Sequence, residues 1–502
     1  MKASDLDKLT TLSNINISNS DLMLSATRMS FEKNTYIQEI WRYSNNEWKK
    51  FKGAESKNFL NPKYSDDKKY LSFVEVEKGK KPKQTIVVKK GNSLDRIFKT
   101  SGSIHNYIWS KSGKFLYITV GDWDENFEKV EDKQDEPFYL ENIPHKFDTR
   151  GVIFNKRNHI YKVNIETGKS SKIINGDKEN FISIGSVVEH AGQLYFTANV
   201  YNDMGTMLEE RIIKKDSKGL DIIHSGGMWG KLFSFKGKLY GIGLKNRFDW
   251  PTTTNIYELS DSGRAKEIDT VFDKTIVDVK TTEENMYALY EDSGKQLIAK
   301  NTNNGLENLF DEDITITDFA IQKNEIFFLA NSFTKSDEVF KYSESGIEKI
   351  SKTNDSFHKK VSSYSFTYKR FDTGKSKVDT WGIFVGKDRP TLLNIHGGPA
   401  SQYGFTYFDE FQVYAEAGFN VVACNPRGST GRGHKYLRDV CGNKWGVNDV
   451  HDVLSVFKQM LKELKITNKD YGIMGGSYGG FMTSWIIGNH PKMFKSAIVE
   501  RA

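Results

Sequence analysis

The 502-residue sequence has only two cysteines, Cys424 and Cys441. A disulfide framework needs more, and a zinc cluster needs about four grouped ligands, so both read as plain buried or partly buried thiols and no structural metal site is expected. No apolar run approaches the ~20 residues of a membrane span, and Met1 to Asn19 mixes charge with scattered Leu where a signal peptide would have an apolar core. A soluble, cytoplasmic protein is the expectation. Charge of one sign is also scarce: 72 basic and 65 acidic side chains leave a formal +7 along the chain, with no basic stripe to follow a nucleic acid. Lysine-rich stretches such as Lys78 to Lys83 are short and read as solvated loops.

Aromatic residues, by contrast, are plentiful: 33 Phe, 23 Tyr and 9 Trp in a chain that is 37% apolar, a bias towards strands. The length calls for two or more cores.

The first 350 or so residues repeat. Ser65-Asp66-Asp67-Lys68-Lys69-Tyr70-Leu71 returns 45 positions later as Ser110-Lys111-Ser112-Gly113-Lys114-Phe115-Leu116, with a weaker copy at Ser18-Asn19-Ser20-Asp21-Leu22. Gly192-Gln193-Leu194-Tyr195 recurs as Gly237-Lys238-Leu239-Tyr240, then near Met286-Tyr287 and Ile326-Phe327. Each copy is a turn feeding an apolar strand. Between them lie hairpin patterns, as in His159 to Val163 before Thr167-Gly168, or Asn255 to Leu259 before Ser262-Gly263. Short strands at a period of about 40 to 50 residues fit the blades of a β-propeller, and seven anchors predict seven blades. One gap, between Phe115 and Leu194, is too long for a blade; the excess falls in an acidic stretch from Asp122 to Glu141, read as a solvated insertion.

After about Ser362 the pattern changes. Thr391 to Ile395 and Asn420 to Cys424 suit buried parallel strands, and Val450, Val453, Leu454, Phe457, Leu461 and Leu464 fall at helical spacing. The expected division is a propeller over 1–361 and an α/β domain over 362–502.

Tyr471 to Met474 reads as a strand, followed by Gly475-Gly476-Ser477-Tyr478-Gly479-Gly480 and a helix-compatible Phe481 to Ile487. This is G-x-S-x-G in the strand–turn–helix context of a nucleophile elbow. Side chains at 475 and 479 should collide with neighbouring backbone, and Ser477 is presented where the helix dipole favours developing negative charge. Upstream, directly after an apolar strand, His396-Gly397-Gly398-Pro399 is a Gly-rich turn of the kind that supplies oxyanion N–H groups. Together the two motifs make a hydrolase the expectation.

Propeller followed by hydrolase, with these motifs, resembles the prolyl oligopeptidase family, most closely its acylaminoacyl peptidases and related dipeptidyl aminopeptidases. The residues that carry the resemblance are His396 to Pro399, Asn425-Pro426-Arg427-Gly428-Ser429-Thr430-Gly431, Trp445-Gly446 with Asp449, and Gly475 to Gly480. The resemblance implies that His396 marks a loop and is no triad member, and that the N–H of Tyr478 with one from Gly397 or Gly398 stabilises an oxyanion. It also implies short peptide substrates and a propeller that covers the site.

The pattern breaks after Ser477. In α/β-hydrolases the acid and histidine follow the serine, yet the only later histidine is His490, at the end of the next helix beside Pro491. Glu500, on a strand, is no better an acid, and Asp449 and Asp452 are accounted for by the first turn of a helix. The expectation is therefore a serine peptidase that stops short of its acid and base by something on the order of a hundred residues and is inactive without them. No cofactor is called for, and homo-oligomerisation stays open. A carboxylesterase, or a non-catalytic propeller scaffold with a degenerate hydrolase remnant, are the alternatives.

Overall fold

Seven four-stranded antiparallel units succeed one another along the chain in the computed structural model, which describes residues 1–18, 21–79, 82–123, 140–147 and 151–502. They span 10–52, 57–100, 103–174, 183–227, 228–267, 275–308 and 315–349. Units four and five share one long strand, Leu220–Phe235, whose first half pairs outward and whose second half begins the next unit. Sheets packed face to face bury both faces of their middle strands, so these read as continuous apolar runs. Met286–Asp292 and Glu325–Ser332 each bury five successive side chains for this reason.

The ring closes by packing. Each neighbouring pair of blades shares a core, and the last of these brings Leu12, Ile15 and Leu24 of blade 1 against Phe327, Leu329 and Val339 of blade 7. Polar groups tie the same seam: Leu12 N–H donates to Asp337 (2.9 Å), Ile15 N–H donates to Asp318 (2.9 Å), and Asn354 accepts from Thr10 N–H (3.0 Å) while donating to Thr10 O (2.9 Å).

The repeated motifs are the turns between the first and second strands of the blades. Ser65 N–H donates to Tyr70 O and Ser110 N–H to Phe115 O, both at 2.9 Å, so the two most similar copies fold alike. Later copies use left-handed pairs, Ala191-Gly192 and Lys236-Gly237, the two-residue turns that match strand twist. Most of the acidic stretch, 124–139, lies outside the described residues. Its flank rests on blade 4, where Ile143 N–H donates to Gly205 O (2.6 Å) and the Tyr201 hydroxyl donates to Pro144 O (2.8 Å).

A six-stranded sheet follows: β1 (Phe366–Asp372), β2 (Lys377–Ile383), β3 (Thr391–Ile395), β4 (Asn420–Asn425), β5 (Tyr471–Gly476) and β6 (Ser496–Glu500). Their order is β1-β2-β4-β3-β5-β6, with β2 antiparallel to both its neighbours, β1 and β4, and the pairings from β4 through β6 parallel. The helices are α1 (Asp409–Glu416), α2 (Gly433–Arg438), α3 (Asn448–Glu463) and α4 (Tyr478–Asn489). The apolar stripe of α3, with Val453, Phe457 and Met460, packs with Leu393, Val422 and Ile473 of the sheet and Met482 and Ile486 of α4.

Blades 5 to 7 grip the loops of this second domain. Gly294, in a blade 6 turn, meets Gly404 so closely that a Cβ on residue 404 would lie 1.9 Å from Gly294 O. The contact is fixed by Phe405 N–H donating to Gly294 O (2.7 Å) and Gly294 N–H donating to Gln402 (2.9 Å). Blade 7 adds Asn331, which accepts from the Thr406 hydroxyl (2.6 Å) and Tyr407 N–H (3.2 Å). Asp273, between blades 5 and 6, accepts from His434 N–H (2.7 Å) at the start of α2.

Candidate active site

Ser477 occupies the turn from β5 into α4 with φ 56° and ψ −122°, a conformation that costs on the order of 1–3 kcal/mol for a side-chain-bearing residue. The surroundings enforce it: Ser477 N–H donates to Glu500 O of β6 (2.9 Å) and Phe481 N–H donates to Ser477 O (3.0 Å). The serine is exposed, while Tyr478, Gly479 and Gly480 behind it are buried. The collisions expected at the flanking glycines are present. A Cβ at 475 would lie 2.5 Å from Gly479 O, and one at 479 would lie 2.1 Å from Ile395 O.

The His396–Pro399 loop lies against this turn. A Cβ at Gly397 would sit 3.1 Å from Gly476 O and 3.3 Å from Ser477 Cβ, so the loop backbone, bare of side chain, faces the serine. Gly398 has φ 120°, and a Cβ there would meet Ala400 N at 2.7 Å. The first N–H groups of α4, Tyr478 included, have no intrahelical acceptor by helix geometry. The two motifs distant in sequence thus bring Ser477, Tyr478 and Gly397 together.

His396 is buried, with Nδ1 2.6 Å from Gly397 O, so Nδ1 carries the proton and donates there. Nε2 faces Ser429 Oγ at 2.9 Å, and burial holds the ring below its usual pKa. Both nitrogens are engaged within the loops. His490 stands at the far end of α4, exposed, roughly 18 Å along the helix axis from its first turn. Among the described residues, no imidazole or carboxylate side chain hydrogen-bonds Ser477 Oγ, and no group of three or more His, Cys, Asp or Glu forms a metal cluster.

Two carboxylates that sequence reasoning assigned to the helix dipole have definite partners. Asp449 accepts from the Tyr478 hydroxyl and from Val450 N–H (2.8 Å), and its burial pushes the carboxyl up. Trp445 packs edge-on against the Tyr478 ring (5.2 Å between centroids). Asp452, fully buried, receives Arg427 through Nε (2.8 Å) and Nη2 (2.9 Å). Arg427 belongs to the loop that carries Ser429, the partner of His396. Tyr478→Phe should therefore leave Asp449 short of its phenolic donor and cost about 1–3 kcal/mol. A double-mutant cycle with Asp449→Asn, read by chemical denaturation, should return a coupling of that order; additive effects would show that the pair does not hold the turn.

Residues 405–502 match the model of the prolyl oligopeptidase family. An uncharacterized peptidase, YuxL, of Bacillus subtilis is 47% identical over 114 residues, which are 22% of this chain and 17% of that protein. Acylamino-acid-releasing enzyme 1 of rice, Oryza sativa subsp. japonica, is 37% identical over 126 residues, 24% of this chain and 16% of that protein. These sequence matches thus span less than a fifth of the relatives' length. In fold the likeness is to the whole chain: an acylaminoacyl peptidase of Pyrococcus horikoshii superposes with a TM-score of 0.84 at 18% identity, covering 99% of this chain and 78% of that one. Residues 405–502, the segment that holds the elbow, thus match the prolyl oligopeptidase family's model, and the fold across both domains is that of the acylaminoacyl peptidase.

Proposed function

We propose that this protein is a serine-type peptidase of short peptides, with Ser477 as nucleophile and the N–H groups of Tyr478 and of Gly397 or Gly398 as oxyanion donors. One observation carries the reading: an exposed serine on a left-handed strand-to-helix turn, faced by a glycine loop with no side chain between. Ser477 Oγ would bond to the substrate carbonyl carbon as its proton leaves. The carbonyl oxygen, now anionic, would take the paired N–H groups, the C–N bond would break with the amine leaving protonated, and water would release the acid from the acyl-enzyme.

The proton needs an acceptor at Ser477, and among the described residues no imidazole or carboxylate is hydrogen-bonded to Ser477 Oγ. Without one the rate falls by several orders of magnitude. The grip of blades 5 to 7 on the domain that carries Ser477 favours a covered site that admits oligopeptides and excludes folded proteins. The names of two relatives, acylamino-acid-releasing enzyme 1 and a dipeptidyl-peptidase 5 of Trichophyton equinum, favour an acylated or dipeptidyl end group.

Fluorophosphonate labelling tests this on three proteins: the 502-residue chain, its Ser477→Ala variant, and a form carrying whatever the gene encodes after Ala502. Labelling at Ser477 in the longer form, none in Ser477→Ala, and labelling slower by roughly 10³-fold or more in the 502-residue chain is the expected result. Failure of the longer form to label would favour a non-catalytic scaffold. Equal labelling of the 502-residue chain would place a base among its own residues. Acetylated peptides, free dipeptidyl amides and simple esters, compared on the active form, then separate the end-group preferences from an esterase.

A further inference from the structure

The first strand of every blade carries a register irregularity at the same place, between Ser13 and Asn16, Leu60 and Lys63, Ile104 and Asn106, Ile184 and Val187, Trp229 and Lys231, Ile276 and Asp278, and Ile316 and Asp318. First strands line a propeller's axis, and a bulge re-aims the side chains that follow it. The result is a belt of side chains turned to the axis in which one polar clasp recurs three times.

In that clasp a lysine reaches into the next blade, donating to the side chain after the neighbour's bulge and to the following carbonyl. Lys231 donates to Asp278 (2.7 Å) and Val279 O (2.7 Å). Lys280 donates to Asp318 (2.5 Å) and to Phe319 O. Lys63 donates to Asn106 (3.0 Å) and Tyr107 O (2.7 Å).

Two of these clasps end on a carboxylate and the third ends on a neutral amide. Asp318 is further committed to Ile15 N–H. Among the described residues, Lys63 thus has no carboxylate hydrogen-bonded to it. Of its three N–H donors two are used, the Tyr107 ring lies 4.7 Å away, and the charges of Lys231 and Lys280 are near enough to repel it. Holding a partly buried ammonium on neutral partners alone is costly, and an anion reaching its third N–H would offset that cost.

We propose that Lys63, flanked by Lys231 and Lys280, forms an oxyanion-binding site on the propeller axis, for a carboxylate or an inorganic oxyanion. This site is independent of Ser477 and of the reading given to it. Burial and the two neighbouring ammonium groups push Lys63 down to about 8, with Asp318 opposing, so its charge is lost across a range in which exposed lysines keep theirs. Asp278, the remaining carboxylate of the three clasps, is held by Lys231.

Isothermal titration calorimetry of the 502-residue chain with sodium sulfate, and with acetyl-Ala-Ala bearing a free carboxylate, tests it. One site is expected, weakened tenfold or more in Lys63→Gln and weakened by about tenfold in the wild type between pH 7 and pH 9. Sulfate binding alone would identify a free inorganic anion as the occupant, while peptide binding that C-terminal amidation abolishes would identify a peptide's carboxylate. Absence of binding, or binding that is equal in Lys63→Gln and flat from pH 7 to 9, overturns the proposal. Should Lys63→Gln fail to fold, the wild-type pH series decides.

Discussion

Gly479→Ala should destabilise the second domain by about 3 kcal/mol or more, whereas Gly488→Ala, on the same helix, should be neutral or stabilising by up to about 1 kcal/mol. The two substitutions add the same methyl group. At 479 it would lie 2.1 Å from Ile395 O and 3.0 Å from His396 O, both backbone atoms of β3 and the loop after it. Neither can move freely, since Ile395 lies in a strand paired on both sides. At 488 nothing lies within 4 Å, and alanine gains the ordinary helix preference. Thermal melts of the two variants check the contrast. Equal melting temperatures would show that α4 can slide away from the Gly397 loop, and the elbow would then not be a rigid platform for Ser477.

The pair also shows why the elbow was legible in the sequence. A glycine forced by close backbone approach leaves a fixed spacing, and Gly475 and Gly479 flank Ser477 at that spacing whatever else surrounds them. The propeller was legible for a similar reason: its turns recur at Ser65, Ser110, Gly192 and Gly237 because each blade must reverse at the same point. Harder to read were groups whose role depends on a partner far along the chain. Asp449 and Asp452 begin a helix, and their three-residue spacing, which places both on one face, was the available signal. Nothing local says that this face points inward, to Tyr478 and Arg427. The axial belt was hidden more completely. Its lysines look like any surface lysine until the register of seven strands is known.

That inward face of α3 leads to the last expected effect. Asp452→Ala should cost about 3–5 kcal/mol, because it leaves the Arg427 guanidinium, 6% exposed, without its principal anion. The carboxylate also accepts from Thr373 (3.2 Å), Ser376 (3.0 Å) and Arg427 N–H (3.1 Å), so its loss frees the β1–β2 turn as well as the loop. Asp439 (3.1 Å) and Asn448 O (3.0 Å) remain on Arg427 and moderate the loss without replacing a bidentate pair. A double variant, Asp452→Leu with Arg427→Met, removes both charges and should recover much of the stability lost by either alone. Chemical denaturation of the four proteins reads the cycle directly. Beyond stability, the loop that Arg427 anchors carries Ser429, which holds His396, whose neighbour Gly397 faces Ser477. Asp449, one turn away on α3, braces Tyr478 from the other side. One turn of one helix thus supports both halves of the proposed oxyanion hole, and in an active form Asp452→Asn should lower kcat more than it raises KM. A change confined to KM would mean that the loop serves substrate binding alone.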